Sequence, residues 1–503
     1  MGSHLLSKSS FIKGLQCDKH LYLYKYHYDE MDEFSEMQKA IFQRGTDVGV
    51  FAQKLFPGGT AATEGSPPDY KKGLKKTGEL ILQGGKIIYE AAFMFNEVLS
   101  IADIIVKEIN SLSRRSQAKT EWNIYEVKSS TSISETYLND AALQYYVISN
   151  SGIEINDFSI IYINNQYVRN GELDITELFT IESVIDSILP LQNFVEENVE
   201  RFKKVINKRE MPGIDIGEHC HNPYTCSFFN YCRKHIPENS IFDFSGMHLK
   251  KKYELYRDGI IKLDDIPDDY SLNKNNGIQL DIYKSGEPLI DKDAIENFLS
   301  DLNYPLFFMD FETFQPAVPL YDNSKPYQQI PFQYSIHLKE KKDGELKHFE
   351  FLAESRADPR VKFIKGLLND IKGEGDIVVY NKAFEVTRLK EIARDFPEYS
   401  DEIEKLILRI RDLMIPFQRK YYYAPEMKGS YSIKAVLPSL VPELSYDKLK
   451  IKEGGIASIT FEGLQTETDM IIIAGTREQL LEYCKLDTLA MVMILEKLES
   501  LEK

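Results

Sequence analysis

The chain has 503 residues, with 61 Lys plus Arg against 78 Asp plus Glu for a net charge of −17, and it is 43% hydrophobic and 28% charged. That composition excludes a largely disordered chain, five cysteines exclude a disulfide-built scaffold, and no apolar run approaches the roughly 18–20 residues that span a bilayer. A soluble cytoplasmic protein of two or three domains is expected, with no membrane partner; the acidic balance leaves nucleic acid open as a partner, because binding there needs only a local basic groove.

Met1-Gly2-Ser3-His4 reads as an expression remnant. A first domain is expected over 5–240. It opens on the aromatic run Leu21-Tyr22-Leu23-Tyr24-Lys25-Tyr26 and continues with a helix from Glu36 to Phe56, stopped by Pro57-Gly58-Gly59. Three strand-like runs follow at 86–93, 97–108 and 122–129, then a helix at 134–149 with Ser134 as its cap, then a strand at 158–164. A polar, irregular connecting region is expected over 241–302. The last domain, 303–503, reads as strands at 305–313, 332–339 and 346–353, a helix at 359–371, a strand at 376–381, helices at 384–394 and 401–413, and a terminal helix at 476–498.

The most informative segment is Leu306-Phe307-Phe308-Met309-Asp310-Phe311-Glu312-Thr313. A strand alternates faces, so Asp310 and Glu312 point the same way. Two carboxylates side by side in an apolar strand repel each other and are costly to desolvate, and a cation between them removes that penalty. Tyr483 and Asp487 are four apart and share one face of the terminal helix. Asn381 and Glu385 lie where a strand's carboxyl end meets a helix, a usual place for a site.

The three motifs Asp310-x-Glu312, Asn381-x-x-x-Glu385 and Tyr483-x-x-x-Asp487 together resemble the DnaQ-like (DEDD) 3′–5′ exonucleases, in the variant with Tyr in the last motif, over about 200 residues. Glu385 stands where that family usually has Asp. The resemblance implies a ribonuclease-H-like fold and two-metal phosphodiester hydrolysis, with Asp310, Glu312, Glu385 and Asp487 holding Mg²⁺ or Mn²⁺ and Tyr483 orienting the attacking water.

In the first domain Asp103 interrupts an apolar strand, and Glu126 and Lys128 share a face of the next. A carboxylate pair binds a divalent ion and a lysine pairs with a phosphate, although Glu-x-Lys alone is common on salt-bridged surfaces. The segment resembles the PD-(D/E)XK nucleases, in particular the RecB-like branch with an iron–sulfur cluster found in CRISPR adaptation nucleases. Asp103, Glu126 and Lys128 match its core, Glu90 an acidic position one strand earlier, and Gln144 the start of a Gln-x-x-x-Tyr motif in which Ile148 replaces Tyr. The His often found in that family's N-terminal motif is missing from Arg44–Gly49. The implied fold is restriction-endonuclease-like, making the whole an α/β fusion of two nuclease domains.

Cys220, Cys226 and Cys232 lie within one short segment, in Cys-x5-Cys-x5-Cys spacing, and Cys17 lies far upstream. Such clustering in a Cys-poor chain points to metal ligation. Four thiolates suit a 4Fe–4S cluster or tetrahedral zinc, and His219, His221 and His235 keep zinc open. The RecB-like resemblance implies the 4Fe–4S cluster, as a structural clasp. Cys484 reads as a packed thiol near the C-terminal site. The function expected is a metal-dependent nuclease acting on nucleic acid, DNA favoured over RNA, with two hydrolytic sites. Two alternatives stand beside it: hydrolysis at the C-terminal site alone, or a non-catalytic iron–sulfur adaptor that binds nucleic acid.

Overall fold

The structure, a computed structural model, describes residues 5–65, 69–108 and 121–501; residues 1–4, read above as an expression remnant, lie outside the described residues. The fold is mixed α/β, and the chain divides into two compact units. One comprises Met1–His235 with Ala317–Pro326, the other Ile236–Pro316 with Tyr327–Lys503.

The first unit is built on β1 (Leu6–Ser7), β2 (Thr60–Ala61), β3 (Ile87–Phe95), β4 (Val98–Glu108), β5 (Glu121–Lys128), β6 (Glu154–Ile163) and β7 (Phe179–Ser183). They form one sheet in the order β2-β3-β4-β5-β6-β7, with β1 beside β4. β3, β4 and β5 are antiparallel neighbours, and β6 runs parallel to β5. A parallel pair needs a crossover, and the helix Glu135–Asn150 supplies it; the Ser134 side chain caps it, accepting from Tyr137 N. Ala91, Ala102, Ile124, Leu143, Phe158 and Phe202 are among the buried residues that close the core between sheet and helices. The aromatic run at 21–26 proves to be helical, within Asp18–Tyr26. Two helices absent from the sequence reading are Tyr70–Leu82 and Gln192–Ile206.

The second unit contains β8 (Leu289–Ile290), β9 (Leu306–Phe314), β10 (Ile330–Lys339), β11 (Leu346–Leu352), β12 (Ile377–Val379), β13 (Ile410–Asp412) and β14 (Tyr422–Tyr423). Its main sheet has the order β11-β10-β9-β12-β13. β9, β10 and β11 are antiparallel, whereas β12 runs parallel to β9 and β13 parallel to β12. The period-2 alternation of β9 sends Phe307, Met309 and Phe311 into the core, against Phe363 and Leu367 of the helix Arg360–Asp370. The opposite face of β9 meets the 32-residue terminal helix Met470–Leu501.

Two expectations are corrected. Residues 241–302 are not irregular: they carry the helices Leu249–Arg257, Lys274–Ser285 and Lys292–Ser300, and Ile241, Phe244, Leu255, Leu263, Ile266 and Leu280 form a small apolar cluster. Their helices read as loop because Lys and Asn dominate them and few residues are buried. The helix expected over 401–413 stops at Leu408, and Ile410–Asp412 becomes the edge strand β13. Leu408 is exposed while Ile410 is fully buried, a break in helical periodicity that pairing with β12 resolves. Tyr422 and Tyr423 are buried in β14, paired with β8.

Candidate metal centres

On β9, Asp310 and Glu312 project from the face turned to the terminal helix, which presents Tyr483 and Asp487 one turn apart. Carboxylate oxygens of Asp310, Glu312 and Asp487 all lie within 4.8 Å of one another; among the described residues no other three His, Cys, Asp or Glu side chains bring ligand atoms so close. Glu385 joins them from the first turn of the helix Lys382–Asp395. All four line one open cleft of about 350 Å3. Asn381, at the edge of the same cleft, caps that helix in left-handed conformation with φ of 80°. The Asp412 carboxylate accepts from the backbone N–H of Asn381 at 3.1 Å and of Lys382 at 3.0 Å, which fixes the start of the helix that carries Glu385.

The electrostatics are those of an anionic site short of positive charge. Burial, and then the charge of Asp487, hold Asp310 well above the ordinary carboxylate range. Burial and then Asp310 do the same to Glu312 and to Glu385. Asp487 is pushed up to about 6 by burial, against the hydrogen bond from Tyr446 and the charge of Lys434. Glu385 is 1% exposed, and its Oε2 has no hydrogen-bond partner among the described residues. A buried carboxylate oxygen without a donor is costly; a cation in the cleft satisfies it. Burial and the Asp487 charge raise the Tyr483 phenol far above its usual value, so it stays protonated. The Cys484 thiol, fully buried, lies 3.8 Å from Asp310 Oδ2, the neighbouring packed thiol expected.

Three residues at this site had no signal in the sequence. Tyr446 donates its hydroxyl to Asp487 Oδ1 at 2.6 Å. Lys434 Nζ stands 5.5 Å from the ring centroids of both Tyr446 and Tyr483. Gly454 opens the helix Gly454–Gly463 so close to Glu312 that an added Cβ would lie 3.3 Å from its Oε2. A phenol that orients a ligand carboxylate is worth about 10–100-fold in metal affinity. Tyr446→Phe is therefore expected to weaken Mn²⁺ binding by about that factor, read by titration calorimetry, with little change in the metal-free melting temperature.

In the first unit, Glu90, Asp103 and Glu126 stand abreast on β3, β4 and β5. Glu90 has φ of 51° and lies opposite Asp103, outside the paired residues of β3 and β4, with the register unchanged on either side. Asp103 Oδ2 accepts from Val127 N at 2.7 Å. Lys128 donates to Glu126 Oε1 at 2.8 Å and to Asp140 Oδ2 at 2.6 Å. Lys8, at the start of the helix Lys8–Gln16, donates to the same Glu126 Oε1 at 2.7 Å. Lys8 and Asp140 escaped the sequence reading. Burial would raise Glu126, but Lys128 and Lys8 outweigh it and bring it down to about 2. Asp103 is pushed up to about 8 by burial and then by Glu126. Gln144 is fully buried, and neither atom of its amide has a hydrogen-bond partner among the described residues.

Cys17, Cys220, Cys226 and Cys232 line a single recess together with Lys19, His20 and His219. None is disulfide-bonded. Burial raises all four thiols, Cys226 to about 12. Cys17 reaches the recess at the junction of two helices, Lys8–Gln16 and Asp18–Tyr26, while the other three come from the loop and short turns after 217. His20 is held by Gln16 and Ser227, whereas His219 Nε2 stands 3.6 Å from Cys220 Sγ, so the recess offers four thiols and one imidazole.

Residues 307–432 match a domain of unknown function (DUF2779). That segment contains Asp310, Glu312, Asn381 and Glu385 and ends before Tyr446, Tyr483 and Asp487. The chain is similar to uncharacterized protein UU173 of Ureaplasma parvum, 29% identical over 238 residues, which is 42% of this chain and 34% of that protein. It is also similar to the MG366 homolog of Mycoplasma pneumoniae, 28% identical over 206 residues (37% and 31%), and to MG366 of Mycoplasma genitalium, 26% identical over 256 residues (46% and 38%), both likewise named uncharacterized. The chain thus spans about a third of the length of these curated relatives. Among the described residues no helix is long and apolar enough to cross a membrane.

Proposed function

We propose that the protein is a metal-dependent nuclease that hydrolyses phosphodiester bonds of nucleic acid, DNA in preference to RNA, with its principal site at Asp310, Glu312, Glu385, Tyr483 and Asp487. The observation that carries this reading is the convergence of four carboxylates from three separate elements on one cleft, with Glu385 Oε2 buried and unpartnered. The sheet supports it: β11-β10-β9-β12-β13, numbered by chain order within this sheet, is 3-2-1-4-5 with the second strand antiparallel, the arrangement of a ribonuclease-H-like domain. For the first unit, acids abreast on antiparallel strands and a helical crossover to a parallel strand support a restriction-endonuclease-like RecB domain with a second hydrolytic site at Glu90, Asp103, Glu126 and Lys128.

The donor set of the principal site is all oxygen and suits Mg²⁺ or Mn²⁺. Bound there, such ions supply Lewis-acid activation of water and stabilise charge on the leaving 3′ oxygen. The chain's own residues do the rest. Tyr483, protonated at neutral pH, offers its hydroxyl to position water beside Asp487. Lys434 adds one positive charge on the side of the cleft where a phosphate would enter, and Tyr446 keeps Asp487 oriented.

The four thiols fit a metal group as well: they line one recess, none is disulfide-bonded, and a bound metal would turn such raised thiols into thiolates. The resemblance to iron–sulfur RecB-like nucleases favours a 4Fe–4S cluster, with zinc as the alternative, in a structural role.

End-labelled single- and double-stranded DNA and RNA, incubated with the full chain and Mg²⁺ or Mn²⁺, test the proposal. Shortening of DNA from its 3′ end, stopped by EDTA, is expected. No cleavage of any substrate with either metal would overturn it, and tight binding without cleavage would favour the adaptor reading.

A further inference from the structure

Resting on the proposal that the first unit carries a second carboxylate site, we infer that Lys8 sets that site's metal affinity by holding the place of the cation. In the second unit, four carboxylates face one lysine, Lys434, in the cleft. In the first unit two of the four carboxylates are already paired: Glu126 and Asp140 hold Lys8 and Lys128 at 2.6–2.8 Å. Both ammonium groups sit on the same oxygen, Glu126 Oε1. Glu126 Oε2 and Asp140 Oδ1 stay buried without partners among the described residues, as does the amide of Gln144. The site therefore has spare donor atoms, but the charge of its central carboxylate, Glu126, is shared with two ammonium groups before any cation arrives. A divalent ion approaching Glu126 Oε2 meets two like charges.

Lys8 is not an adventitious surface lysine. β1 pairs in parallel with β4, Leu6 with Val98 and Ser7 with Leu99, and β4 is the strand that carries Asp103. Ser7 then caps the helix with a reciprocal hydrogen-bond pair to Ser10. Lys8, the next residue, leaves this fixed corner aimed at Glu126, 118 positions away in the chain. A phosphate of bound nucleic acid gives Lys8 another partner, so substrate and metal are expected to bind this site cooperatively.

The experiment uses the full chain with the principal site neutralised by Asp310→Asn, Glu312→Gln and Asp487→Asn, and reads Mn²⁺ binding by electron paramagnetic resonance. Lys8→Met and Lys8→Gln in that background should each tighten binding of one Mn²⁺ at least tenfold. Lys8→Arg should leave it unchanged, and adding Glu126→Gln should remove the gain. Circular dichroism identifies folded variants, and either neutral variant suffices. The inference is overturned if a folded Lys8→Met or Lys8→Gln protein binds Mn²⁺ no more tightly than the Lys8-bearing background, or if the gain survives Glu126→Gln. The readout is binding, so a protein that cleaves nothing would sink the proposed function and leave this result to stand or fall by itself.

Discussion

Asp310→Asn should lower Mg²⁺- or Mn²⁺-dependent hydrolysis at the principal site about a thousandfold and, in EDTA, raise the melting temperature. The first half follows from the proposed metal catalysis. Asp310 would be a ligand of the ions, whose Lewis-acid action would supply several kcal/mol of transition-state stabilisation, and about 4 kcal/mol is a factor of roughly a thousand. The second half separates a functional site from a structural one. Without metal, Asp310, Glu312 and Asp487 crowd within 4.8 Å, and burial, then the charge of Asp487, hold Asp310 well above the ordinary carboxylate range, so replacing it by a neutral isostere relieves both desolvation and repulsion. About 1 kcal/mol of relief corresponds to roughly 2–4 °C in a unit of this size. If Asp310 were instead part of a stabilising network, the melting temperature would fall.

Burial of Asp487 gives the site a pH signature with a definite sign. Asp487 has a folded-state value of about 6, above the 3.8 of an unperturbed Asp. The folded protein therefore binds more protons than the unfolded chain across that window, and metal-free stability falls as pH rises from about 4 to about 6. Metal must displace those protons, so the rise in melting temperature on adding Mn²⁺ should be small near pH 5 and grow through pH 6 and above. Asp487→Asn should flatten the part of the metal-free slope between pH 4 and 6. A metal-free protein that gains stability over that interval, with the slope unchanged in Asp487→Asn, would contradict the electrostatic account of the site.

Cys226→Ser should cost the first unit its metal and much of its stability. Four thiols contribute to one recess from Cys17 at one end of the unit and from the 220–232 segment at the other. Metal bound there closes a loop of about 200 residues, and structural metal sites of this kind supply binding free energy directly to folding. A loss of about 4 kcal/mol would lower the unit's melting temperature by roughly 8–16 °C. Elemental analysis should find iron in the wild type and little in the variant; zinc in its place would select the alternative ligand. If Cys226→Ser melts with the wild type and both lack metal, the thiols are packing groups. Hydrolysis at the principal site, in the other unit, should survive the substitution.

What the sequence determined by itself is local in origin. The alternation of β9 follows from Phe307, Met309 and Phe311 on one parity and Asp310 and Glu312 on the other, so two acids on one face were legible before any fold was known. The same holds for Glu126 and Lys128 on β5, for Tyr483 and Asp487 one helical turn apart, and for the tight grouping of Cys220, Cys226 and Cys232. The helix Gln192–Ile206 was equally legible, through Val195, Val199, Phe202 and Ile206 at helical spacing, and went unread. Tertiary structure alone decided the rest. Lys8 against Glu126, Tyr446 against Asp487, Lys434 over two phenols and Asp412 beneath the Glu385 helix are pairings between distant segments. Nothing local distinguishes Lys8 or Lys434 from the other cations among 61 Lys and Arg. Periodicity is imposed by backbone geometry within a few residues, whereas which charges meet depends on how whole elements pack, and burial then sets which of them are compensated and which still require a cation.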